Sequence, residues 1–240
     1  MWFPRLASDR VLRLHPLEGP FALTSRQNNA DRISCLNARA EQLGLHRGMS
    51  SADAHAFCPD LVSAPARPDL DARFLAALRR WATRYSPWVG RDGEDGLVLD
   101  VTGAPHLWGG EAEMLADMRA SARRMGLTLR LGLAGTRGAA WALAHHGEGD
   151  GGTQAAKARE GQGGEDQGKE GRDAQADREA LAGLPVEALR LDTATCTGLR
   201  RLGLRTIGDL AGTPRAPLAR RFGPSVLLRL DQALGHMGEP

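Results

Sequence analysis

Alternating apolar and polar residues predict strands in the first half of the chain. In residues 96–101 (GLVLDV) and 127–134 (LTLRLGLA), leucine or valine falls at every second position, the period of a half-buried strand. Between them, residues 110–125 space apolar side chains three and four apart, which predicts a helix. The order strand, helix, strand predicts an α+β sheet domain of the split βαβ kind.

Two segments before these strands carry further elements. Residues 69–85 predict a helix with one apolar stripe that belongs to the core, formed by Leu70, Phe74, Leu78, Trp81 and Tyr85. Residues 31–62 combine a strand-like RISCL, a helix through Glu41, a turn at Gly44 and Gly48, and a short helix that ends near Cys58. We expect this segment to form a small insertion in the sheet domain.

The composition changes sharply after residue 146. Residues 147–178 hold nine glycines and no apolar residue larger than alanine. Such a segment cannot bury enough surface to offset the entropy of ordering, which predicts a flexible linker, with a short solvated helix over 153–160 as the alternative. The linker separates residues 1–146 from a second unit, residues 179–240.

The second unit has a helical pattern. Residues 199–212 (LRRLGLRTIGDLAG) repeat apolar residues at helical spacing, with Gly203 and Gly208 as predicted turns and Thr206 as a predicted helix cap. The following residues continue the helical pattern to Leu234. Tandem short helices of this kind are typical of helix-hairpin-helix modules.

Composition and charge narrow the classes of function. No apolar run approaches the ~20 residues of a membrane span, and no signal sequence opens the chain. The isolated cysteines Cys35, Cys58 and Cys196 and the scattered histidines indicate reduced thiols in a cytoplasmic protein rather than a metal site. The segment 147–178 has a net charge of −3 and the rest +5, with arginine as its only basic residue apart from histidine. This balance permits nucleic-acid binding.

Several motifs in order resemble the Y-family (translesion) DNA polymerases. The run YSPWVGRDGEDGLVLDVTG (85–103) resembles the palm, NARAEQLGLHRGM (37–49) and FCPDLV (57–62) the fingers, GLAGTRGAAWALA (132–144) the second half of the palm, and residues 199–223 the thumb. The resemblance implies a palm with an inserted fingers segment, followed by an all-α thumb. WFPRLASDR and RFGPSVLLRLDQALG are most similar to the ImuB-type, mutagenesis-associated members.

The same alignment implies that the catalytic metal site is lost. The family's Asp-Glu pair reads Asp95-Gly96 here, and the two aspartates of its first strand align with Met1 and Phe3. Two-metal phosphoryl transfer requires carboxylate ligands, so no catalytic residue, metal or other cofactor is expected, and Asp95 is the only retained candidate. The alternative is another register, in which an active polymerase binds Mg²⁺ through neighbouring acids, namely Asp9, Asp92, Glu94 or Asp100.

The resemblance also suggests contacts with nucleotide and DNA. Arg39 and Arg137 align with basic residues that bind the triphosphate, whereas Leu36 and Leu6 replace aromatic residues beside it. The second thumb turn is the predicted DNA contact, formed by Gly203, Leu204, Arg205, Thr206 and Gly208. The first thumb turn departs from the family, because Arg190-Leu191-Asp192 stands where glycines are usual. For each arginine, a role in folding alone is an equal alternative.

The expected function is therefore that of a non-catalytic, DNA-binding scaffold in DNA repair, translesion synthesis and damage-induced (SOS) mutagenesis. Damaged primer-template DNA is the expected partner. The resemblance adds a sliding clamp, a RecA-like accessory protein and an error-prone replicative-type polymerase, bound mostly through a C-terminal region beyond Pro240, where a fourth domain, the little finger, is expected to be missing. No membrane partner is expected. The alternatives are an active error-prone polymerase, a decayed fragment without function, and, more distantly, a helix-hairpin-helix glycosylase.

Overall fold

A computed structural model of the chain describes residues 1–147 and 169–239, with the side chains of 169–173 excepted. Most of the predicted linker, residues 148–168, lies outside the described residues, and so does the alternative helix at 153–160. Contacts divide the chain into two compact units. The sheet unit contains Phe3–Val101 and Met118–Leu129, and the helical unit contains Met1–Trp2, Thr102–Asp117 and the described residues from Arg130 onward.

A three-stranded sheet follows the first helix of the sheet unit. Helix α1 (Leu6–Leu12) precedes β1 (Phe21–Gln27), β2 (Ala30–Leu36) and β3 (Val62–Pro65), and the strand order is β2-β1-β3. β1 pairs antiparallel with β2 and parallel with β3. Asn28 and Asn29 both have positive φ, 47° and 65°, as a tight two-residue hairpin turn requires.

The segment predicted as an insertion, residues 31–62, contributes β2 to the sheet and two helices between β2 and β3. These helices are α2 (Ala38–Gln42) and α3 (Ser51–Phe57), and each begins with a side-chain cap, from Asn37 and Ser50 respectively. Gly44 and Gly48 lie between them with φ of 90° and 84°. These values belong to the left-handed region that glycine adopts without strain, so the predicted turn is confirmed.

A long helix and a hairpin complete most of the sheet unit. Helix α4 (Pro68–Ala82) buries Leu75, Leu78 and Ala82 on one face, close to the predicted stripe. β4 (Val89–Asp92) then pairs antiparallel with β5 (Gly96–Leu99). Helix α5 (Glu111–Arg124) confirms the helix predicted over 110–125, and its residues are divided between the two units.

The helical unit is built from short helices around one apolar core. They are α6 (Arg137–His146), α7 (Lys169–Ala182), α8 (Thr193–Arg201), α9 (Ile207–Ala211), α10 (Arg215–Phe222) and α11 (Pro224–Ala233), with 3-10 turns at Pro105–Trp108 and Val186–Leu189. The core joins side chains from α6 onward, including Ala139, Leu143, Leu181, Leu199, Leu210 and Leu230. No helix in the described ranges is both long and apolar enough to cross a bilayer.

The strand predicted over 127–134 is wrong. In the structure this segment forms only an isolated bridge, in which Trp2 and Arg130 exchange two backbone hydrogen bonds of 2.8 Å. Leu127, Leu131 and Leu133 are nevertheless buried. Three of the four aligned leucines are thus buried and Leu129 is half-buried, but within the part of the chain that the structure describes this segment forms no hydrogen-bonded ladder beyond the bridge.

Three details of the second unit also differ from the sequence pattern. Helix α7 begins at Lys169, so the last part of the predicted linker is helical. Gly208 lies inside α9 rather than in a turn, and a Cβ there would come within 2.9 Å of the Ala182 carbonyl oxygen. The helix predicted to continue to Leu234 is broken at Gly223, whose φ is 83°.

Helix α6 packs with the helices that follow residue 168, although it belongs to the predicted palm range. Ala139, Ala142 and Leu143 lie in the same apolar cluster as Leu181 and Leu230. The sequence divides the two regions by a change of composition, whereas packing is set by which apolar faces meet. The proposed domain boundaries remain predictions.

Candidate functional site

Phe3, which aligns with the family's first catalytic strand, lies beside Asp95 of the Asp95-Gly96 pair. The Phe3 N–H donates a hydrogen bond of 2.9 Å to the Asp95 carbonyl oxygen. The Phe3 side chain has no exposed surface. The two segments that the alignment assigns to one site are therefore neighbours in the structure. At position 3, where the alignment expects a carboxylate, a phenylalanine ring fills the core.

Gly96 leaves no room for a side chain. It pairs with Asp92 at the end of the β4–β5 hairpin, and an added Cβ would lie 2.5 Å from the Asp92 carbonyl oxygen. That distance is shorter than the sum of van der Waals radii, so any other residue requires the backbone to move. The glutamate that the alignment expects at this position would therefore require the hairpin backbone to shift.

Asp9 serves the fold rather than a metal site. Its carboxylate accepts the Thr128 N–H at 2.6 Å, and the residue is 9% exposed. Burial raises the pKa of Asp9, although the hydrogen bonds from Thr128 and the charge of Arg5 oppose this change. A carboxylate turned toward a backbone amide is poorly placed to bind an ion.

A cavity of about 600 Å³ opens in the sheet unit. Its charged lining consists of Arg47, Asp71, Arg91, Glu94 and Asp95, and Leu6 lies in its apolar part. Asp9, Asp92 and Asp100 do not line it. The cavity therefore brings together Leu6 and Asp95, which the alignment placed around a nucleotide.

Two arginines of this cavity were missed by the sequence reasoning. The Arg47 guanidinium donates to the Pro4 carbonyl oxygen and lies 3.9 Å from the Cys35 sulfur. Arg91 lies on the exposed face of β4. A signal for Arg47 existed, because it stands between Leu45 and Gly48 in a fingers motif that was already identified.

The residues present do not fit a pair of divalent ions. Among residues 1–147 and 169–239, no three His, Cys, Asp or Glu side chains form a group that could hold a metal. Asp71, which lines the cavity, is held by Arg10 at 2.6 Å. The side chains of Met1 and Phe3 have no oxygen ligand, and Gly96 cannot be replaced by an acid without a change in the backbone.

Arg39 lies away from the cavity. It is an exposed residue of α2 and does not belong to the cavity lining. Glu41, two residues further along α2, forms an ion pair with Arg5. Leu36, at the position of the stacking tyrosine, is buried. These findings weigh against Arg39 as a phosphate ligand.

Arg137 is the first residue of α6 in the helical unit. Thr136 caps this helix by accepting the Ala139 N–H at 3.0 Å. Near this end, Glu239 receives hydrogen bonds from Arg190. Burial by itself would raise the pKa of Glu239, but the bond from Arg190 and the charges of Arg190, Arg137 and Arg229 together lower it.

The predicted DNA-binding turn uses its backbone amides internally. The N–H groups of Arg205 and Thr206 both donate to Asp209 Oδ2, at 3.0 and 2.9 Å, and the Thr206 hydroxyl caps α9. The Gly203 and Leu204 N–H groups donate to Arg200 and Leu199 carbonyl oxygens. These four amides are therefore not available to a phosphate unless their internal bonds break, whereas the Arg205 side chain supplies a cation at this turn.

The first thumb turn keeps a sharp bend without glycine. Arg190 has φ of 58°, in the left-handed region that is unfavourable for a residue with a Cβ. Asp192 caps α8 by accepting the Thr195 N–H at 2.8 Å. The departure from the family's glycines thus coincides with a structural cap.

Comparisons with known proteins agree with this geometry. Residues 7–145 match the family model described as the impB/mucB/samB family. The chain is 46% identical over 197 residues to Protein ImuB of Caulobacter vibrioides (strain NA1000 / CB15N), which covers 82% of this chain and 39% of that protein. It is 29% identical over 206 residues to DNA polymerase IV of Ralstonia nicotianae, which covers 85% of this chain and 53% of the polymerase.

Solved structures give the same fold. DinB from Sulfolobus solfataricus superposes with a TM-score of 0.73 at 16% identity, over 100% of this chain and 67% of that one. The insertion ternary complex of Dbh DNA polymerase gives a TM-score of 0.75 over the same shares. The chain spans less than half the length of the Caulobacter protein. Its fold is that of a Y-family polymerase, α+β with palm and fingers regions.

Proposed function

Because the chain belongs to the impB/mucB/samB family and its described residues include no group of three or more His, Cys, Asp or Glu side chains that could hold a metal ion, we propose that it is a non-catalytic, DNA-binding scaffold in damage-induced mutagenesis. It has the fold of a polymerase that copies damaged DNA. In this proposal it binds primer-template DNA and assembles other proteins there, and does not extend the primer.

The observation that carries the proposal is the pair of residues Phe3 and Gly96. A buried ring occupies one acid position, and the hairpin backbone leaves no space at the other. One remaining carboxylate, that of Asp95, cannot hold two ions about 4 Å apart. The fold around the two positions is kept, as expected for a protein retained for binding.

DNA as a partner is supported by relatives and by charge. The described residues outside the segment 147–178 have a net positive charge, and solved neighbours include binary and ternary complexes of Dbh DNA polymerase. A sliding clamp, a RecA-like protein and an error-prone replicative-type polymerase remain proposed partners by family likeness.

Two measurements on one primer-template test the proposal. Fluorescence anisotropy should detect binding, and primer extension with Mg²⁺ or Mn²⁺ should give no product, while an active Y-family polymerase extends the same substrate. Arg205→Ala should weaken binding, because it removes the only cation in the 203–208 turn. The matched control Arg26→Ala changes an exposed arginine at the end of β1.

An active polymerase is the second candidate function, because Glu94 and Asp95, which are candidate metal ligands, both line the cavity. Primer extension by the unmodified chain that is lost in Asp95→Ala would establish an active polymerase and contradict the scaffold. Absence of both extension and DNA binding would instead support a folded product without function.

A further inference from the structure

Three arginines converge on one carboxylate at the N-terminal end of α6. Arg190 Nη1 and Nη2 lie 2.7 and 2.8 Å from the two oxygens of Glu239, a bidentate pair, and Arg229 Nη1 lies 3.3 Å from Oε1. The Glu239 side chain is 7% exposed. The third cation, Arg137, is close enough to affect its charge state. We name Arg137, Arg190 and Arg229 the arginine cluster.

The cluster is held in place by the surrounding structure. The Arg190 guanidinium lies 5.6 Å above the Trp141 ring. Its Nη2 would be only 3.3 Å from a Cβ at Gly138, in the first turn of α6, so the absence of a side chain there lets it approach the helix end. The N-terminus of α6, which is the positive end of the helix dipole, adds to the positive charge at this position. The planar guanidinium can bind oxyanions such as carboxylate and phosphate through two parallel hydrogen bonds.

The two acids at this end of α6 are held differently. Asp177 lies within α7, is 5% exposed and accepts the Gly135 N–H at 2.6 Å. Glu239 instead follows four exposed residues, 235–238, that leave the end of α11. His236 and Met237 bond back to the Asp231 carbonyl oxygen at 2.8 and 3.3 Å. The His236 ring also lies 2.9 Å from Arg178 and 3.4 Å from Asp231 Oδ1, and the end of the segment is held by Glu239.

We propose that Glu239 is an internal anion that occupies a phosphate site, and that phosphate groups of a polyphosphate or of a nucleic-acid backbone bind the arginine cluster by displacing it. Binding then releases the segment 235–239. This proposal does not rest on the scaffold function, because it concerns anion exchange within the helical unit.

The experiment compares the unmodified chain with Glu239→Gln, which keeps the shape of the side chain and removes its charge. The matched control is Glu187→Gln, because Glu187 pairs with a single arginine, Arg200, at 3.0 Å outside the cluster. Calorimetry measures the affinity for tripolyphosphate at fixed salt, and anisotropy measures that for a labelled single-stranded oligonucleotide.

We expect Glu239→Gln to bind tripolyphosphate about tenfold more tightly, since a charged competitor is removed, and Glu187→Gln to match the unmodified chain. The gain should disappear in the double variant Glu239→Gln, Arg229→Gln. A gain for tripolyphosphate alone identifies a free polyphosphate as the ligand, and a gain for both probes includes the nucleic-acid backbone. Equal affinities for the unmodified chain and Glu239→Gln with both probes would overturn the proposal.

A second measurement needs no substitution and applies if Glu239→Gln does not fold. Saturating tripolyphosphate should speed hydrogen exchange at the amides of His236 and Met237 in the unmodified chain, because their bonds to Asp231 are lost when the segment leaves. Unchanged exchange at these amides, with or without binding, would contradict displacement.

Discussion

Phe3 and Asp95 are joined by a backbone hydrogen bond, so the two segments that the alignment assigns to the metal site are neighbours in this structure. The side chains at these positions differ from the acids that the alignment expects. At position 3 the alignment expects a carboxylate that faces a nucleotide and metals. The phenylalanine found there instead stabilises the fold through the burial of its ring. The motif identified which residues occupy the acid positions, but it could not show that Phe3 is buried.

The burial of Phe3 predicts that an acid cannot simply be restored. In Phe3→Asp the free energy of unfolding should fall by about 4 kcal/mol or more, since a large buried ring is lost and a charge is left in an apolar site. Urea unfolding measures the change. Phe57→Asp is the control, because Phe57 is 62% exposed, and its effect should stay within about 0.5 kcal/mol. Similar losses for both variants would contradict the core role of Phe3.

The lowered pKa of Glu239 predicts a dependence of stability on pH. A carboxyl group whose pKa is lower in the folded state contributes stability above its ordinary pKa of 4.5, and loses it as pH falls through the folded value. The difference in free energy of unfolding between the unmodified chain and Glu239→Gln should therefore be constant at neutral pH and shrink below that range. A difference that grows in acid would reverse the sign and refute the ion pairing.

Elements were predicted best where local chemistry determines them. Thr206 caps α9 with Asp209 as its partner, and this could be read from the sequence because a capping box depends on residues three apart. The strand expected over 127–134 depended instead on a distant neighbour. Similarly, the glycine-rich composition before residue 178 could not reveal that Asp177 has a buried hydrogen-bond donor in Gly135, distant in sequence.

The β4–β5 hairpin should respond strongly to the smallest side chain. Gly96→Ala places a Cβ at 2.5 Å from the Asp92 carbonyl oxygen, so the strands must separate and the free energy of unfolding should fall by about 1–3 kcal/mol. Gly19→Ala is a suitable control, because nothing lies within 4 Å of a Cβ there and its φ is not positive. Thermal unfolding of both variants measures the loss of stability. A Gly96→Ala variant as stable as the unmodified chain would show that the position tolerates a side chain.

For the whole molecule, the sequence indicated its family through motif order, whereas contacts group residues by packing. Residues from Arg130 onward, including α6, belong to the helical unit, although the palm was expected to run to residue 146. Charge is also uneven, with an acidic segment at 147–178 and a positive remainder. The motifs contained Arg47 and Arg190, but they could not show the contacts of these residues, because Pro4 and Glu239 are distant from them in sequence.

The positive remainder predicts salt-sensitive DNA binding. If the chain neutralises about three phosphates, the affinity for double-stranded DNA should fall by about fortyfold between 50 and 200 mM salt. Anisotropy titrations across that range measure the slope. Arg205→Ala should make the slope shallower by about one unit. A slope near zero would mean that backbone phosphates contribute little, and would weaken the assignment of DNA as partner.

The close approach at Gly96 has a consequence for the history of the protein. A single nucleotide change can convert a glycine codon into a glutamate codon, so the genetic code leaves a short route back to the ancestral acid. The hairpin backbone closes that route, because the revertant must first tolerate a contact of 2.5 Å. Lineages with this hairpin are therefore expected to keep glycine, or to change the turn before an acid is accepted at this position.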